Sequence, residues 1–585
     1  LHDGYGASNR NFKYAFCIIQ KVKINMKKLL SENKSEVLFL PLGGAGEIGM
    51  NLNLYHYQGK WLMIDLGAGF ADEYFPGVDL IVPDIDFLQE IKNDLVGLVL
   101  THAHEDHIGA VGHLIEEIKC PIYATKFTAN YVMGKIKEHC HDYKPVLHIV
   151  EEDSEFMVGP FDLRYVPLTH STLEMQAVLI KTKKGNIFHT GDWKFDERPM
   201  LGRNYSAQQL QKIGDMGILA LVGDSTNVFN KERSRSEGDL VDSLLEIIKS
   251  CKKMVMVTTF ASNVARLNTL IKVGHRAGKK IAFAGRSLWR ILEAAQSSGY
   301  MKDIPQIYED RDIIKFPRDQ IMLITTGCQG EPLAATAKIV YESHPLLKLA
   351  KGDSVIFSSK IIPGNEKRIY RLFNALVKKG VEVKTEKTDF VHVSGHPSAD
   401  ELQEMYSYIR PRVAIPVHGE MVHIHEHARL AREEYGVPHT IEVENGDLVK
   451  ITPDGAELIA KVKAGYVAVD GGTLLYSDSK VMRMRRKITR EGIVIIYLVM
   501  NSKGKFLVKP RITAPGLLDE STDEEMIEDT QKELIANIEA QFHNVGKNKK
   551  LIEHISNIAR QVTKRNIRYY MDKNPVIEVI VDCVP

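Results

Sequence analysis

Short runs of β-branched and apolar residues, separated by glycine-rich turns, set the first pattern along the chain: 37–42, then Gly43-Gly44-Ala45-Gly46-Glu47-Ile48-Gly49, then 52–57 and 61–65. Such runs predict strands and hairpins rather than helices. A strand over 95–101 runs straight into His102, and one over 186–190 runs into Gly191-Asp192, so polar residues stand at strand exits. From about Asp239 the pattern changes. Segments 239–251, 254–259, 264–277, 280–284, 288–298 and 320–326 alternate helical and strand periodicity, which predicts a parallel α/β sheet. A second such block (354–358, 365–379, 381–386) leads into Val391-His392-Val393-Ser394-Gly395-His396. A helix over 400–409 and a strand over 412–417 follow, the strand ending on His418. The basic stretch Arg483, Arg485, Arg486, Lys487, Arg490 reads as a boundary or linker, and beyond it a small α+β unit has strands near 493–500 and 576–581. Between those strands the acidic stretch 519–529 opens an amphipathic helix through Ile538, its acids near the positive helix end.

At 585 residues the chain exceeds one core's worth of sequence and implies two to four domains. Hydrophobic residues at 44% and charged residues at 26% are the balance of an ordinary globular protein. A net charge of +1 excludes a globally basic nucleic-acid coat but not a local basic groove. The six cysteines lack C-x-x-C spacing and favour a reducing compartment, so a cytoplasmic location is expected. No apolar stretch reaches the ~18 residues of a membrane span, and the run 16–20 is too short for a signal peptide core. Residues 1–25, before Met26, are expected to be an upstream extension outside the natural product.

The densest chemistry is Thr101-His102-Ala103-His104-Glu105-Asp106-His107, three imidazoles and a carboxylate just after a strand. Zinc takes nitrogen and carboxylate oxygen at about 2.0 to 2.2 Å, and alternate residues of an extended turn can face one metal while the Asp106-His107 pair turns toward another. A histidine-rich surface loop is the bland reading, and the embedded aspartate speaks against it.

This H-x-H-x-D-H signature resembles the metallo-β-lactamase superfamily, whose later motifs are matched by His170 in Pro167-Leu168-Thr169-His170-Ser171, Asp192 in His189-Thr190-Gly191-Asp192 and His418 in Pro416-Val417-His418-Gly419. The resemblance implies two zinc ions: one on His102, His104 and His170, the other on Asp106, His107 and His418, with Asp192 bridging. Manganese and magnesium are alternative occupants. His189 and Asp65 are candidates for supporting the ligands from behind.

More than two hundred residues separate Asp192 from His418. They hold Asp224 in Gly223-Asp224-Ser225-Thr226, the run Thr259-Phe260-Ala261-Ser262-Asn263-Val264-Ala265-Arg266, and His392 to His396. These resemble the landmarks of the β-CASP nucleases. Thr326-Gly327-Cys328-Gln329-Gly330-Glu331-Pro332, Ser358-Ser359-Lys360-Ile361-Ile362-Pro363-Gly364-Asn365-Glu366 and the Leu42 to Gly49 opening are similar to the ribonuclease J family. Two departures are Ser171-Thr172-Leu173-Glu174 after the third-motif histidine and Cys328 in place of a more usual serine. The implied fold is α/β: a metallo-β-lactamase αββα sandwich (37–232 and 392–465) with an inserted α/β β-CASP domain (233–391). An N-terminal extension (1–36), a linker (466–490) and a small α+β C-terminal domain (491–585) complete it.

The expected reaction is metal-assisted hydrolysis of RNA phosphodiesters. Asp106 and Asp192 would orient the attacking water, and His396, positioned by Asp224, would protonate the leaving oxygen. Ala261, Ser262, Asn263, His392, Val393, Ser394, Gly395 and His396 would hold the strand by its backbone, although Ser262, Asn263 and Arg266 also suit plain helix capping. A groove between two domains favours single-stranded RNA. The resemblance further implies 5′-to-3′ exonuclease and endonuclease activity, a preference for a 5′ monophosphate, roles in mRNA decay and rRNA maturation, and a homodimer or homotetramer. A small-molecule ester or thioester hydrolase, a β-CASP DNA-repair nuclease and a non-catalytic RNA scaffold are the competing readings; the long insert and the complete ligand set weigh against the first and last.

Overall fold

A computed structural model describes residues 26–140, 142–519, 522–542 and 549–584. The expectation for residues 1–25 lies outside the described residues; the remainder of the expected extension carries a short helix, Met26–Glu32. The chain divides into two compact units, one of residues up to 69 with 82–465, the other of 70–81 with 466 onward.

The first unit is built on two facing sheets. One runs Gly455–Lys461, Asp447–Thr452, Val37–Gly43, Leu52–Tyr57, Lys60–Ile64, Leu95–Val99, Ile122–Ala124, Leu147–Ile149. The other runs Glu155–Val158, Phe161–Pro167, Gln176–Thr182, Gly185–His189, Ile218–Asp224, Val413–Val417, His439–Thr440. Side chains of a strand alternate between its faces. Accordingly Val178, Ile180 and Ile187 join Phe39, Tyr55, Leu62 and Val99 in the core between the sheets. Ala177, Leu179 and Phe188 point the other way, onto Leu210, Leu402, Met405 and Leu430 of the helices Ala207–Asp215, Ala399–Ile409 and Met421–Glu433. Each fully buried large apolar side chain contributes about 1.5–3 kcal/mol.

Strands Ile218–Asp224 and Val413–Val417 are parallel neighbours, with Asp224 opposite Val417. The chain leaves this sheet after Asp224 and returns to it at Val413, the Ala399–Ile409 helix having already packed on its outer face; between them it builds a separate six-stranded sheet: Ile307–Tyr308, Lys280–Ala284, Ile321–Thr325, Val255–Thr258, Ser354–Phe357, Glu382–Lys384. All its pairings are parallel. Parallel strands need crossovers, and the helices Val264–Arg276, Arg286–Ser298 and Glu366–Lys378 supply them.

The second unit differs from expectation at 466–490. Instead of a linker, these residues form a hairpin, Tyr466–Asp470 with Thr473–Tyr476, and a helix, Lys480–Glu491. Residues from the distant 70–81 segment complete the hairpin's four-stranded sheet, a partnership invisible to local pattern. Beyond it, Ile493–Asn501 lies between Arg511–Thr513 and Val576–Val584. Val494, Ile496 and Leu498 of its buried face meet Leu534 and Ile538 of the Glu524–Phe542 helix and Ile555, Ala559 and Val562 of the Lys549–Met571 helix.

Candidate metal centre

The centre lies where strands of the sandwich end. His102 and His104 follow Leu95–Val99, with extended backbone at His104, and Asp106 and His107 sit in the one-turn helix Glu105–Ile108. His170 follows Phe161–Pro167, Asp192 follows Gly185–His189, and His418 follows Val413–Val417. The structure brings all seven together. Ligand-type atoms of His102, His104, His170 and Asp192 lie within 4.8 Å of one another, and so do those of Asp106, His107, Asp192 and His418. Asp192 is common to both groups. A third grouping joins Asp192 and His418 to Asp224 and His396.

Whether these residues fit a metal can be judged from what their polar atoms lack. His102 Nε2 is buried without a hydrogen-bond partner. The two buried oxygens of Asp192 face imidazole nitrogens of the same cluster, and a buried carboxylate needs such partners or a cation. His107 Nε2 stands 3.1 Å from Asp192 Oδ2, His418 Nδ1 2.9 Å from Asp192 Oδ1, and His418 Nε2 3.2 Å from Asp106 Oδ2. Imidazole nitrogens and carboxylate oxygens converging in this way are a donor set for zinc or a similar divalent cation.

Electrostatics divide the imidazoles. Burial pushes His102 and His170 well below the ordinary histidine value and His104 to about 4, favouring the neutral form that ligates metal. Burial also opposes charge on His107 and His418, but Asp192 and the neighbouring carboxylates outweigh it and hold both well above that value.

A layer of hydrogen bonds fixes the candidate ligands from behind. Asp65 accepts from the Thr101 amide and hydroxyl, both at 2.8 Å, and its Oδ2 lies 2.7 Å from His107 Nδ1. Its left-handed φ of 62° costs on the order of 1–3 kcal/mol, offset by these three contacts. Thr101 Oγ1 is also 2.9 Å from His102 Nδ1. His189 faces away, its Nδ1 2.9 Å from the Tyr55 hydroxyl. His170 Nδ1 donates to the Gly395 carbonyl at 2.6 Å, which leaves Nε2 for the metal side. Two residues not singled out in the sequence also support the site. Asn51 donates from its amide to Asp106 O at 2.8 Å and holds Nδ2 3.0 Å from His107 Nε2. Gly67 stands so near that a Cβ there would lie 1.7 Å from Asp106 O. Neither has a local signal, because each acts through contacts between segments distant in sequence.

The glycine-rich opening reaches His418 directly. Ala45–Gly46 pairs with Gly419–Glu420, and the His418 amide donates to Gly44 O at 2.5 Å. His418 itself has a φ of 52°, and the Thr226 hydroxyl donates to its carbonyl at 3.0 Å.

His396 enters from the loop before the Ala399–Ile409 helix. Its Nδ1 is 2.8 Å from Asp224 Oδ2 and 3.8 Å from Asp192 Oδ2, and its side chain is 24% exposed. Burial disfavours its charge, yet Asp224 raises its pKa above the ordinary value. Ser394 and Ser234 brace the loop: the His396 amide donates to Ser394 Oγ at 3.1 Å and Ser234 Oγ donates to His396 O at 3.0 Å. His392 is half-buried nearby with its Nδ1 enclosed and unpartnered, and desolvation together with Arg266 depresses its pKa strongly. Val393 is buried. Ala261 and Ser262 are half-buried in the turn before the Val264–Arg276 helix. Asn263 caps that helix, its Oδ1 accepting from Arg266 N at 2.8 Å. Arg266 is fully buried and donates to both Glu237 oxygens (2.7 and 2.9 Å), to Ser358 and to Val391 O.

Sequence models of protein families match in four places: the metallo-β-lactamase superfamily over 51–219, a ribonuclease J β-CASP domain over 252–376, a zinc-dependent metallo-hydrolase RNA specificity domain over 380–443, and a ribonuclease J C-terminal domain over 480–583. The chain is 35% identical to a ribonuclease J of Sinorhizobium meliloti, covering 93% of this chain and 97% of that one. It is 32% identical to a ribonuclease J of Helicobacter pylori (93% and 80%) and 37% identical to one of Mycolicibacterium smegmatis (79% and 82%). A crystal structure of an Enterococcus faecalis protein described as of unknown function shares the fold, with TM-score 0.50 at 15% identity, over 71% of this chain and 100% of that one.

Proposed function

The chain belongs to the ribonuclease J family and is a metal-dependent ribonuclease on a metallo-β-lactamase fold with a β-CASP insertion, and on that premise we propose how its residues divide the work. Two Zn2+ ions would be held, one by His102, His104 and His170, the other by Asp106, His107 and His418, with Asp192 available to both. Manganese or magnesium are alternative occupants. The observation that carries this reading is Asp192, a buried carboxylate that belongs to both candidate ligand groups and meets His107 at 3.1 Å and His418 at 2.9 Å.

When bound, the metals supply Lewis acidity toward the phosphate and a water nucleophilic at neutral pH. The protein's own part is to place charge and protons. Asp106 and Asp192 orient the attacking water. His396, held by Asp224 at 2.8 Å and partly open to solvent, protonates the leaving 3′ oxygen. Ala261, Ser262, Asn263 and His392 to His396 position the strand by its phosphates, so cutting depends little on base identity. The substrate is single-stranded RNA with a 5′ monophosphate, degraded 5′-to-3′ and also cut internally, in mRNA decay and rRNA maturation. The enzyme acts as a homodimer or homotetramer in the cytoplasm.

The test is digestion of 5′-labelled single-stranded RNA, with DNA of the same sequence alongside and metal content measured on each preparation. Wild type releases mononucleotides from RNA. His396→Ala retains metal but loses roughly 10²–10⁴ in kcat. Asp192→Ala loses metal and activity together. Equal product from all three proteins would overturn the assignment.

A further inference from the structure

The basic stretch at 480–490 has no part in the metal centre, and its three-dimensional arrangement is uneven in an informative way. Lys480, Arg483, Lys487 and Arg490 are all exposed and fall on one face of the Lys480–Glu491 helix, a stripe about 15 Å long. Among the described residues none of the four has a carboxylate within ion-pair distance. The other two arginines turn inward: Arg485 pairs with Asp470, while Arg486 donates to Ser477 O at 2.8 Å and lies over the Tyr74 ring at 4.2 Å. Lys573 extends the stripe, its Nζ donating to Arg490 O at 2.7 Å.

A merely solvated helix face looks different. On the Met421–Glu433 helix, Arg429 is met by Glu426, Glu433 and Glu434. Like charges at i,i+3 and i,i+4 destabilise a helix, and Lys480 sits at the end where the dipole is already positive. Of the four, Arg490 alone lies in the last turn, where the dipole favours a cation; the mutual repulsion and Lys480 work against the helix. Met484, 44% exposed on the same helix, gives apolar surface beside the cations, and Tyr74, 51% exposed, stands under Arg486 at the stripe's flank. Cations in series next to an exposed aromatic ring are what a single-stranded nucleic acid backbone and its bases require.

We propose that the exposed face of the Lys480–Glu491 helix, with Lys573 and Tyr74, binds single-stranded RNA through its phosphates, as a surface additional to the ribonuclease centre. The choice of RNA as partner rests on the ribonuclease assignment; the existence of an anion-binding stripe does not.

The experiment measures binding of a fluorescent single-stranded RNA to the full chain with chelator present, so that nothing is cut, across a salt series. Arg483→Gln/Lys487→Gln/Arg490→Gln is expected to weaken binding at least tenfold near 100 mM salt and to flatten the log–log salt slope by about 2, at ~0.7 per phosphate contact. Arg483→Lys/Arg490→Lys keeps the charge and stays within about twofold of wild type, and cleavage of a trinucleotide is unchanged in both. An unchanged affinity and slope in the triple glutamine variant overturns the proposal. So does an equal loss from Lys137→Gln/Lys252→Gln/Lys302→Gln, or a loss seen only on anionic phosphatidylserine vesicles. Failure of wild type to cut RNA when metal is supplied strikes the ribonuclease assignment instead, whatever the stripe binds.

Discussion

His170 donates through Nδ1 to the carbonyl oxygen of Gly395, 225 residues further along the chain, at 2.6 Å. One bond thus sets the orientation of a metal-facing imidazole and anchors the loop that carries His396. The approach is close: a Cβ on Gly395 would stand 2.8 Å from His170 Cε1. Gly395→Ala is expected to push the imidazole off line and to lower metal affinity by about 10–100-fold, the usual effect of disturbing a ligand's supporting contact. Competition against a chromogenic chelator measures it, and an unchanged affinity would show that the loop yields freely.

Asp65 serves His107 as Gly395 serves His170, and with more contacts. Asp65→Asn keeps the size but removes one acceptor oxygen and the negative charge facing His107. Metal affinity should fall by about 10–100-fold, with a smaller loss of thermal stability. Metal titration by calorimetry distinguishes the two effects.

Arg266 and Glu237 form a fully enclosed ion pair that also ties the Ser358 and Val391 backbone together. Removing one partner strands the other charge. Arg266→Ala is expected to cost about 3–5 kcal/mol, whereas Arg266→Met/Glu237→Leu recovers much of that loss. Urea unfolding of the three proteins tests this, and an equal cost for the single and double variants would locate the effect in packing instead.

His56 gives a pH dependence of known sign. It is buried beside Trp61, and burial lowers its pKa from 6.5 to about 4. The unfolded chain therefore binds the extra proton at a higher pH than the folded one. Its contribution to stability is complete above about pH 6.5 and drains away as pH falls toward 4, by roughly 1–3 kcal/mol. His56→Phe removes that titration, so the drop in melting temperature from pH 7.5 to pH 5 should be smaller than in wild type. An identical drop would assign the acid sensitivity elsewhere.

The proposed ligands cluster in the fold as the sequence suggested: the H-x-H-x-D-H spacing and the family resemblance single out rare residue types at strand exits, and strand exits announce themselves by apolar runs stopping at glycine or threonine. The inserted parallel sheet was legible for a similar reason, its helix and strand periods alternating cleanly from Asp239 onward. What escaped notice depends on distant partners. Asn51 and Gly67 look like ordinary turn residues until Asp106 is folded against them. Residues 466–476 look like a connector because their sheet needs strands from 70–81. Asn263 and Arg266 carry the types that phosphate binding would use, yet Asn263 caps a helix and Arg266 is spent on a buried carboxylate. Residue type announces capability; only packing decides how it is used.

The parallel pairing of Ile218–Asp224 with Val413–Val417 has a meaning for synthesis. His418 is made 192 residues after Thr226, which its side chain finally touches. At about 5–20 residues per second, that interval is roughly 10–40 s of translation. Throughout it the nascent chain carries six of the seven proposed ligand residues but not His418. On that proposal, the metal site is closed only after the inserted domain has been made.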